Sequence, residues 1–267
     1  MKFYDLTRGE FFLFKNLNDS DYVKQIDFMS GASLGFQKRN LQSIIDVSKL
    51  LNNIPVFLVK SSMAGEYVSV PGCQCIIYVP EDMSMEEEGI WDKLGLYVYS
   101  NEYDVIPRRI FIWIDKLWDY TGLFTDIEII DDAIVLSLFE LTLYHEMAHA
   151  LMDVELYGVH PAPNFSYAKD YPYRYIEEAF ANFIALETLY DSYRSYHYPL
   201  DDEQKAQFAF IELFVKSQGP GYSDGWKLYQ KGSDITFWME IKVKYDKQLA
   251  SLIQEFMKTK DFRLIGG

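Results

Sequence analysis

Histidine and cysteine are scarce in this chain, four of the first and two of the second among 267 residues. Two cysteines cannot provide a disulfide framework, so a hydrophobic core has to carry the fold. Basic residues are also in deficit, 25 against 40 acidic ones, which leaves a net charge of −15. A protein whose main partner is a phosphate backbone needs clustered Lys and Arg, so no nucleic-acid partner is expected. Long apolar runs free of charge are missing too. The longest, Ala133 to Met152, contains Glu140, His145, Glu146 and His149, a load that a lipid-facing helix does not tolerate. The opening stretch MKFYDLTRGEFFLF is interrupted by Asp5, Arg8 and Glu10 and shows no secretory h-region or cleavage site. No membrane partner is expected on these grounds, and the low cysteine count suits the cytoplasm.

What is present supports a sizeable core. Hydrophobic residues make up 49% of the chain and aromatics 17%, enough for one large domain or two small ones sharing an interface. The first half reads as mixed. Leu41, Ile44, Ile45 and Val47 fall at helical spacing within 40–51. Strand-like runs follow at Pro55–Lys60, Tyr67–Val70, Cys75–Val79, Leu94–Tyr99 and Arg108–Asp115. The last is β-branched and aromatic on both alternating sets, which predicts a strand covered on both faces. Cys73 and Cys75, two apart, would then share one face of a strand as small buried hydrophobes. A metal-binding cysteine pair would need further soft ligands nearby, and none follow. Glu81–Gly89 is an acidic stretch, expected as a solvated loop or helix start.

From Asp131 onward the pattern is helical. Asp131 and Asp132 stand where an N-cap and a first-turn carboxylate belong, and Gly158 and Pro161 mark the end of a long helix. A Pro- and Tyr-rich connection, Val159–Pro172, leads to a second helix from Tyr173 to about Tyr193. A third spans Asp202–Ser217, and Tyr245–Thr259 closes the chain. The expected class is α+β, a mixed β-sheet half over 1–130 and a mostly helical half over 131–267, with a soft boundary that allows a single domain.

The long helix carries His145-Glu146-Met147-Ala148-His149, the pattern H-E-x-x-H. Two His four apart project from one helix face and can hold one zinc ion. Glu146 is rotated about 100° from His145 around the helix. It is placed to act on a zinc-bound water as general base rather than on the metal itself. A catalytic zinc needs a third protein ligand and one open position. Glu155 would sit where a related motif has its third His, but position 152 is Met rather than Gly, so the helix runs on and carries Glu155 away. His160, on a Pro-flanked loop, matches no defensible spacing. The second helix offers Glu177 and Glu178 within Tyr175-Ile176-Glu177-Glu178-Ala179-Phe180-Ala181-Asn182.

At these residues the chain resembles the gluzincin zinc metallopeptidases, the group that includes thermolysin and the H-E-x-x-H aminopeptidases. In that group the third ligand is a Glu on a helix downstream of the motif, followed by small and aromatic residues. The chain is also similar to short bacterial metallopeptidases whose glutamate helix runs in the order of Glu178, Ala181, Asn182 and Phe183. The resemblance covers 141 to about 190. It implies a zincin-like fold with a zinc site between two helices, Zn2+ as cofactor and a peptide or protein as substrate. Packing favours Glu178 over Glu177 as ligand. The face through Glu178 carries Ala181, Asn182 and Ala185, small enough for two helices to approach closely, whereas Glu177 shares its face with Phe180, Ile184 and Thr188. Asn182, one turn beyond Glu178, is then placed to orient a liganding histidine, His145 foremost.

The chain departs from the group in two ways. It has no G-x-M-E-N substrate-anchoring motif, and its connection between His149 and Glu178 is longer than in the compact members. Tyr and His residues are the usual electrophilic partners of such sites. Nine tyrosines between 157 and 198, with Arg194 and His197, offer no single choice. Asp153, four beyond His149, reads as a helix-end polar residue before anything else. The expected activity is peptide hydrolysis by a zinc-bound water that Glu146 activates, with extended substrate paired to the edge of the N-terminal sheet. The competing expectation is a non-catalytic zinc-binding or sensing module.

Overall fold

The computed structural model describes residues 2–7, 54–81, 94–99, 106, 108–124, 132–157, 178–186, 189, 202–219 and 221–231. The expected helices at 40–51 and 245–259, Glu177, His160, Arg194, His197, the connection 159–172 and the side chains of Asp153, Glu155 and the nine tyrosines lie outside the described residues.

The β-branched and aromatic runs form a mixed four-stranded sheet. Its strands are β1 (Lys2–Asp5), β2 (Pro55–Val59), β5 (Gly95–Tyr99) and β6 (Arg108–Trp113), in the order β1-β2-β6-β5. β1, β2 and β6 run parallel, and β5 pairs antiparallel with β6. Alternation along the two central strands sorts their side chains cleanly. Val56, Leu58, Ile110 and Ile112 face one side, and Phe57, Val59, Phe111 and Trp113 the other. All eight are buried, so these strands are covered on both faces, as the sequence of β6 predicts.

One cover is a small antiparallel hairpin of β3 (Tyr67–Ser69) and β4 (Ile76–Tyr78). Its Val70, Ile77 and Val79 pack with Phe57, Val59, Phe111 and Trp113. Neither cysteine is buried in that core, although Cys75 packs against its edge. Cys73 is exposed and Cys75 only half-buried. β4 begins at Ile76, and the chain before it turns, with Val70 N–H donating to Cys75 O at 3.0 Å and Cys73 N–H to Val70 O at 3.2 Å. Turn hydrogen bonds thus replace the strand alternation that would have buried both thiols.

The other cover is helical. Helix α1 (Ile114–Phe124) starts directly after β6, where the sequence pattern extends the strand to Asp115. Asp115 lies in its first turn and accepts the Ser61 N–H with both oxygens, at 3.1 and 2.9 Å, which joins the helix start to the segment after β2. Helix α2 (Asp132–Tyr157) begins at its expected first-turn carboxylate and runs 26 residues. Every side chain from 141 to 150 is buried. A helix apolar on all sides belongs inside a protein, and α2 packs on β5 and β6, on α1 and on α4 (Asp202–Ser217). Between α2 and α4 in sequence, 178–186 forms α3, buried at every residue. Helix α5 (Tyr222–Lys231), which the sequence pattern does not announce, packs on α4.

The architecture is therefore α+β with a mixed sheet, and five helices among the described residues. A single buried cluster runs from Phe3 in β1 to Leu228 in α5, so sheet and helices share one core. No helix among the described residues is long and apolar enough to cross a membrane.

Candidate metal centre

In an apolar helix each buried polar side chain needs a partner, because an unmet one costs about 1–3 kcal/mol and an unmet charge more. α2 carries His145, Glu146 and His149 at 2%, 4% and 7% exposure, and α3 brings Glu178 and Asn182 at 3% and 0%. His145, His149, Glu178 and Asn182 contact one another, and Glu146 takes its partner from the sheet. His145 Nε2 lies 3.0 Å from Glu178 Oε2, His149 Nε2 lies 3.2 Å from the same oxygen, and the two Nε2 atoms are 3.0 Å apart. The four-residue spacing on α2 puts both imidazoles on one face, their rings edge to face at 4.7 Å. Ala181 and Ala185, fully buried beside Asn182, keep the contact surface of α3 low. These sequence-expected residues, His145, His149, Glu178 and Asn182, are thus brought together.

The proton positions follow from the hydrogen bonds. Asn182 Nδ2 donates to the Tyr222 carbonyl at 2.9 Å, so its Oδ1 is the acceptor facing His145 Nδ1 at 2.6 Å. Nδ1 of His145 therefore carries a proton, which leaves Nε2 as the atom that can give up its own proton and offer a lone pair to a cation. That lone pair points into the triangle shared with His149 and Glu178.

Donor chemistry and size both fit a divalent cation. Nitrogen and oxygen ligands of tetrahedral zinc stand about 2.0–2.2 Å from the metal, hence about 3.3 Å from one another. Sides of 3.0, 3.0 and 3.2 Å match one face of such a tetrahedron to within a few tenths of an ångström. His145, His149 and Glu178 form a buried group, found among the described residues, that could hold a metal ion.

The two glutamates of the cluster are driven in opposite directions. Burial alone would raise the Glu178 carboxyl. The charge of His149 and hydrogen bonds from both imidazoles outweigh it, and hold Glu178 well below the usual carboxylate range. Burial pushes Glu146 up, against the pull of His145 and His149. Two carboxyls in one site with opposed proton affinities suit two different tasks, a ligand that stays ionised and a group that accepts a proton.

Glu146 is held by a strand 49 residues earlier, a contact the sequence pattern did not indicate. Its Oε2 accepts the Tyr97 N–H at 2.6 Å. Sheet phase explains why that amide is available. Trp113 N–H bonds Leu94 O at 3.0 Å, so 94, 96 and 98 exchange hydrogen bonds with β6, while 95, 97 and 99 turn their amides to the outer edge of β5. Gly95 completes the fit. A Cβ there would lie 2.6 Å from Glu146 Oε1 and 2.8 Å from Glu146 Cγ and from Thr142 Cγ2, so α2 seats against β5 only because position 95 has no side chain.

No protein-family model, curated protein or solved structure matches the chain.

Proposed function

We propose that this chain is a zinc-dependent metallopeptidase of gluzincin type, with a zincin-like fold. The observation that carries the reading is the convergence of His145 Nε2, His149 Nε2 and Glu178 Oε2 to within 3.2 Å of one another. Support for the fold comes from the mixed sheet laid over the motif helix and from the ligand glutamate on a later helix. His145, His149 and Glu178 would hold the zinc. When bound, zinc supplies Lewis acidity, polarising a carbonyl and lowering the pKa of water towards neutrality.

The chain's own groups do the rest. Glu146, raised by burial, takes a proton from the attacking water and passes it to the departing amine. The Tyr97 N–H aims the carboxyl, and Gly95 leaves it room. β5, an edge strand among the described residues, can pair with an extended peptide through the outward groups of Tyr99 and the outward carbonyl of Tyr97, whose N–H is taken by Glu146. Substrate is thereby delivered next to the base. The free thiols of Cys73 and Cys75 suit a reducing compartment, the cytoplasm.

A non-catalytic zinc-binding or sensing module is the second reading, favoured by the depth of the site, where no ligand is more than 7% exposed. Two features weigh against it. Structural zinc sites are closed by four protein ligands, and among the described residues the group has three. Such a site also has no use for a second buried acid of opposed proton affinity. Peptide-library cleavage by zinc-loaded wild type and Glu146→Gln tests the choice. Removing a general base should cut turnover by about 10²–10⁴-fold with zinc retained. Unchanged cleavage in Glu146→Gln would refute the mechanism, and no cleavage by wild type would favour the module.

A further inference from the structure

We propose that helix α5 is the positioning element of the metal centre. Through the Tyr222 carbonyl and the bare surface at Gly225 it fixes Asn182, and through Asn182 it fixes His145 in the tautomer that offers Nε2 to a divalent cation. This rests on the metal-binding reading above.

Three independent contacts join α5 to the site. The Tyr222 carbonyl accepts the Asn182 Nδ2–H at 2.9 Å, and this decides which end of the amide faces His145. Were the amide turned over, Nδ2 would confront His145 Nδ1 and select the tautomer with its proton on Nε2, the wrong atom for a ligand. The Tyr222 ring, 3% exposed, stacks on the His145 ring with centroids 6.0 Å apart and planes 23° from parallel, which restricts rotation of the imidazole. Gly225 stands one helical turn beyond Tyr222, on the same side of α5. A Cβ there would overlap the Asn182 Cβ and come within 2.8 Å of the Ala179 carbonyl and 3.1 Å of the Phe183 amide. Two of those obstacles are backbone and cannot swing aside. Any side chain at 225 therefore pushes α5 away from α3 and lengthens the Asn182–Tyr222 hydrogen bond.

The chain of control runs from a glycine that touches no ligand, through one amide, to the proton on a histidine ring. Outer partners of this kind change metal affinity by about 10–100-fold when removed. A purely structural role for α5 would change stability while leaving the ligand's proton and the affinity for zinc alone.

The experiment uses the full chain in four forms: wild type, Gly225→Ala, Asn182→Asp and Tyr222→Ala. Two quantities are read, the His145 tautomer by ¹⁵N NMR of the metal-free protein and the affinity for Zn2+ by competition with a chromophoric chelator. The expected result is Nδ1–H in the wild type, a mixed tautomer in Gly225→Ala and Tyr222→Ala, and zinc affinity lower by about 10–100-fold in both. Asn182→Asp is decisive should the other two fail to fold. It keeps an acceptor for the Nδ1–H but loses the donor to Tyr222, and affinity should fall. If Asn182 orients His145 without α5, the added carboxylate leaves affinity equal to or above that of the wild type.

Altered melting temperatures with unchanged tautomer and unchanged zinc affinity would overturn the role of α5 while sparing the metal site. A wild type that ignores Zn2+ but shows the expected tautomer changes would do the reverse.

Discussion

On one face of the sheet Phe57, Val59, Phe111 and Trp113 meet Leu6, Val70, Ile77 and Val79. On the other, Val56, Leu58, Ile110 and Ile112 meet the helices, and there His145, Glu146, His149 and Glu178 are buried as well. Every buried ionisable group among the described residues is on that second side. The two cores are alike in residue type and in the completeness of their burial. They differ in what burial costs. Apolar side chains gain about 1.5–3 kcal/mol each on burial, whereas a buried carboxylate costs several kcal/mol unless it is paired. The hairpin side stabilises the sheet at no such cost. The helix side accepts the cost within one compact cluster, where each polar group is answered by another. A protein tolerates such a concentration where the cluster has a task, and here its donors converge on the space a cation needs.

That contrast can be broken most forcefully from the apolar side. Phe111 is fully buried and stacks on Phe57 with ring centroids 5.5 Å apart. Phe111→Ala should cost about 3–5 kcal/mol in denaturant unfolding. Zinc affinity of the folded protein should stay as in the wild type, which titration of the folded fraction checks. A parallel loss of zinc affinity would mean that the two cores are not separable.

The seam between β5 and α2 is the next point of attack. Gly95→Ala places a methyl group against Glu146 and Thr142. Overpacking of this kind costs about 1–3 kcal/mol, and it should also displace the Glu146 carboxyl from the Tyr97 amide. We expect lower stability together with lower peptide turnover at full zinc occupancy. Loss of stability alone would show that the strand does not aim the base.

The smallest effect is on acid stability of the metal-free protein. Because the folded state holds Glu178 below its unfolded value, its carboxylate contributes stability above the unfolded pKa of about 4.3, and this is lost as pH falls through the folded value. The stability gap between wild type and Glu178→Gln should be full at pH 6 and narrow below about pH 4. A gap that widens on acidification would contradict the assigned direction.

How much of this was legible in the sequence depends on how far apart the partners lie. The H-E-x-x-H face of α2 is a matter of helical periodicity, and helical spacing on α3 placed Asn182 one turn from Glu178. The first-turn carboxylate of α2 and the span of α4 were local signals as well. Long-range register was not legible. Nothing near Glu146 announces that the Tyr97 amide will hold it, since that follows from the phase of β5 against β6. Gly95 and Gly225 matter for absent atoms, and a glycine in a strand or helix could have signalled a close approach without naming the partner. Strand alternation misplaced Cys73 and Cys75 because a turn intervenes before β4. The unbroken apolar run across Trp113, Ile114 and Asp115 likewise hid the switch from β6 to α1.

The central claim is that two histidines of α2 and one glutamate of α3 hold a single zinc ion. Elemental analysis of the purified full chain after zinc loading and desalting tests it most directly, with wild type, Glu146→Gln and Glu178→Ala treated alike. The account predicts one zinc per chain in the wild type and in Glu146→Gln, and none retained in Glu178→Ala. Zinc retained in full by Glu178→Ala, or absent from the wild type, would contradict it.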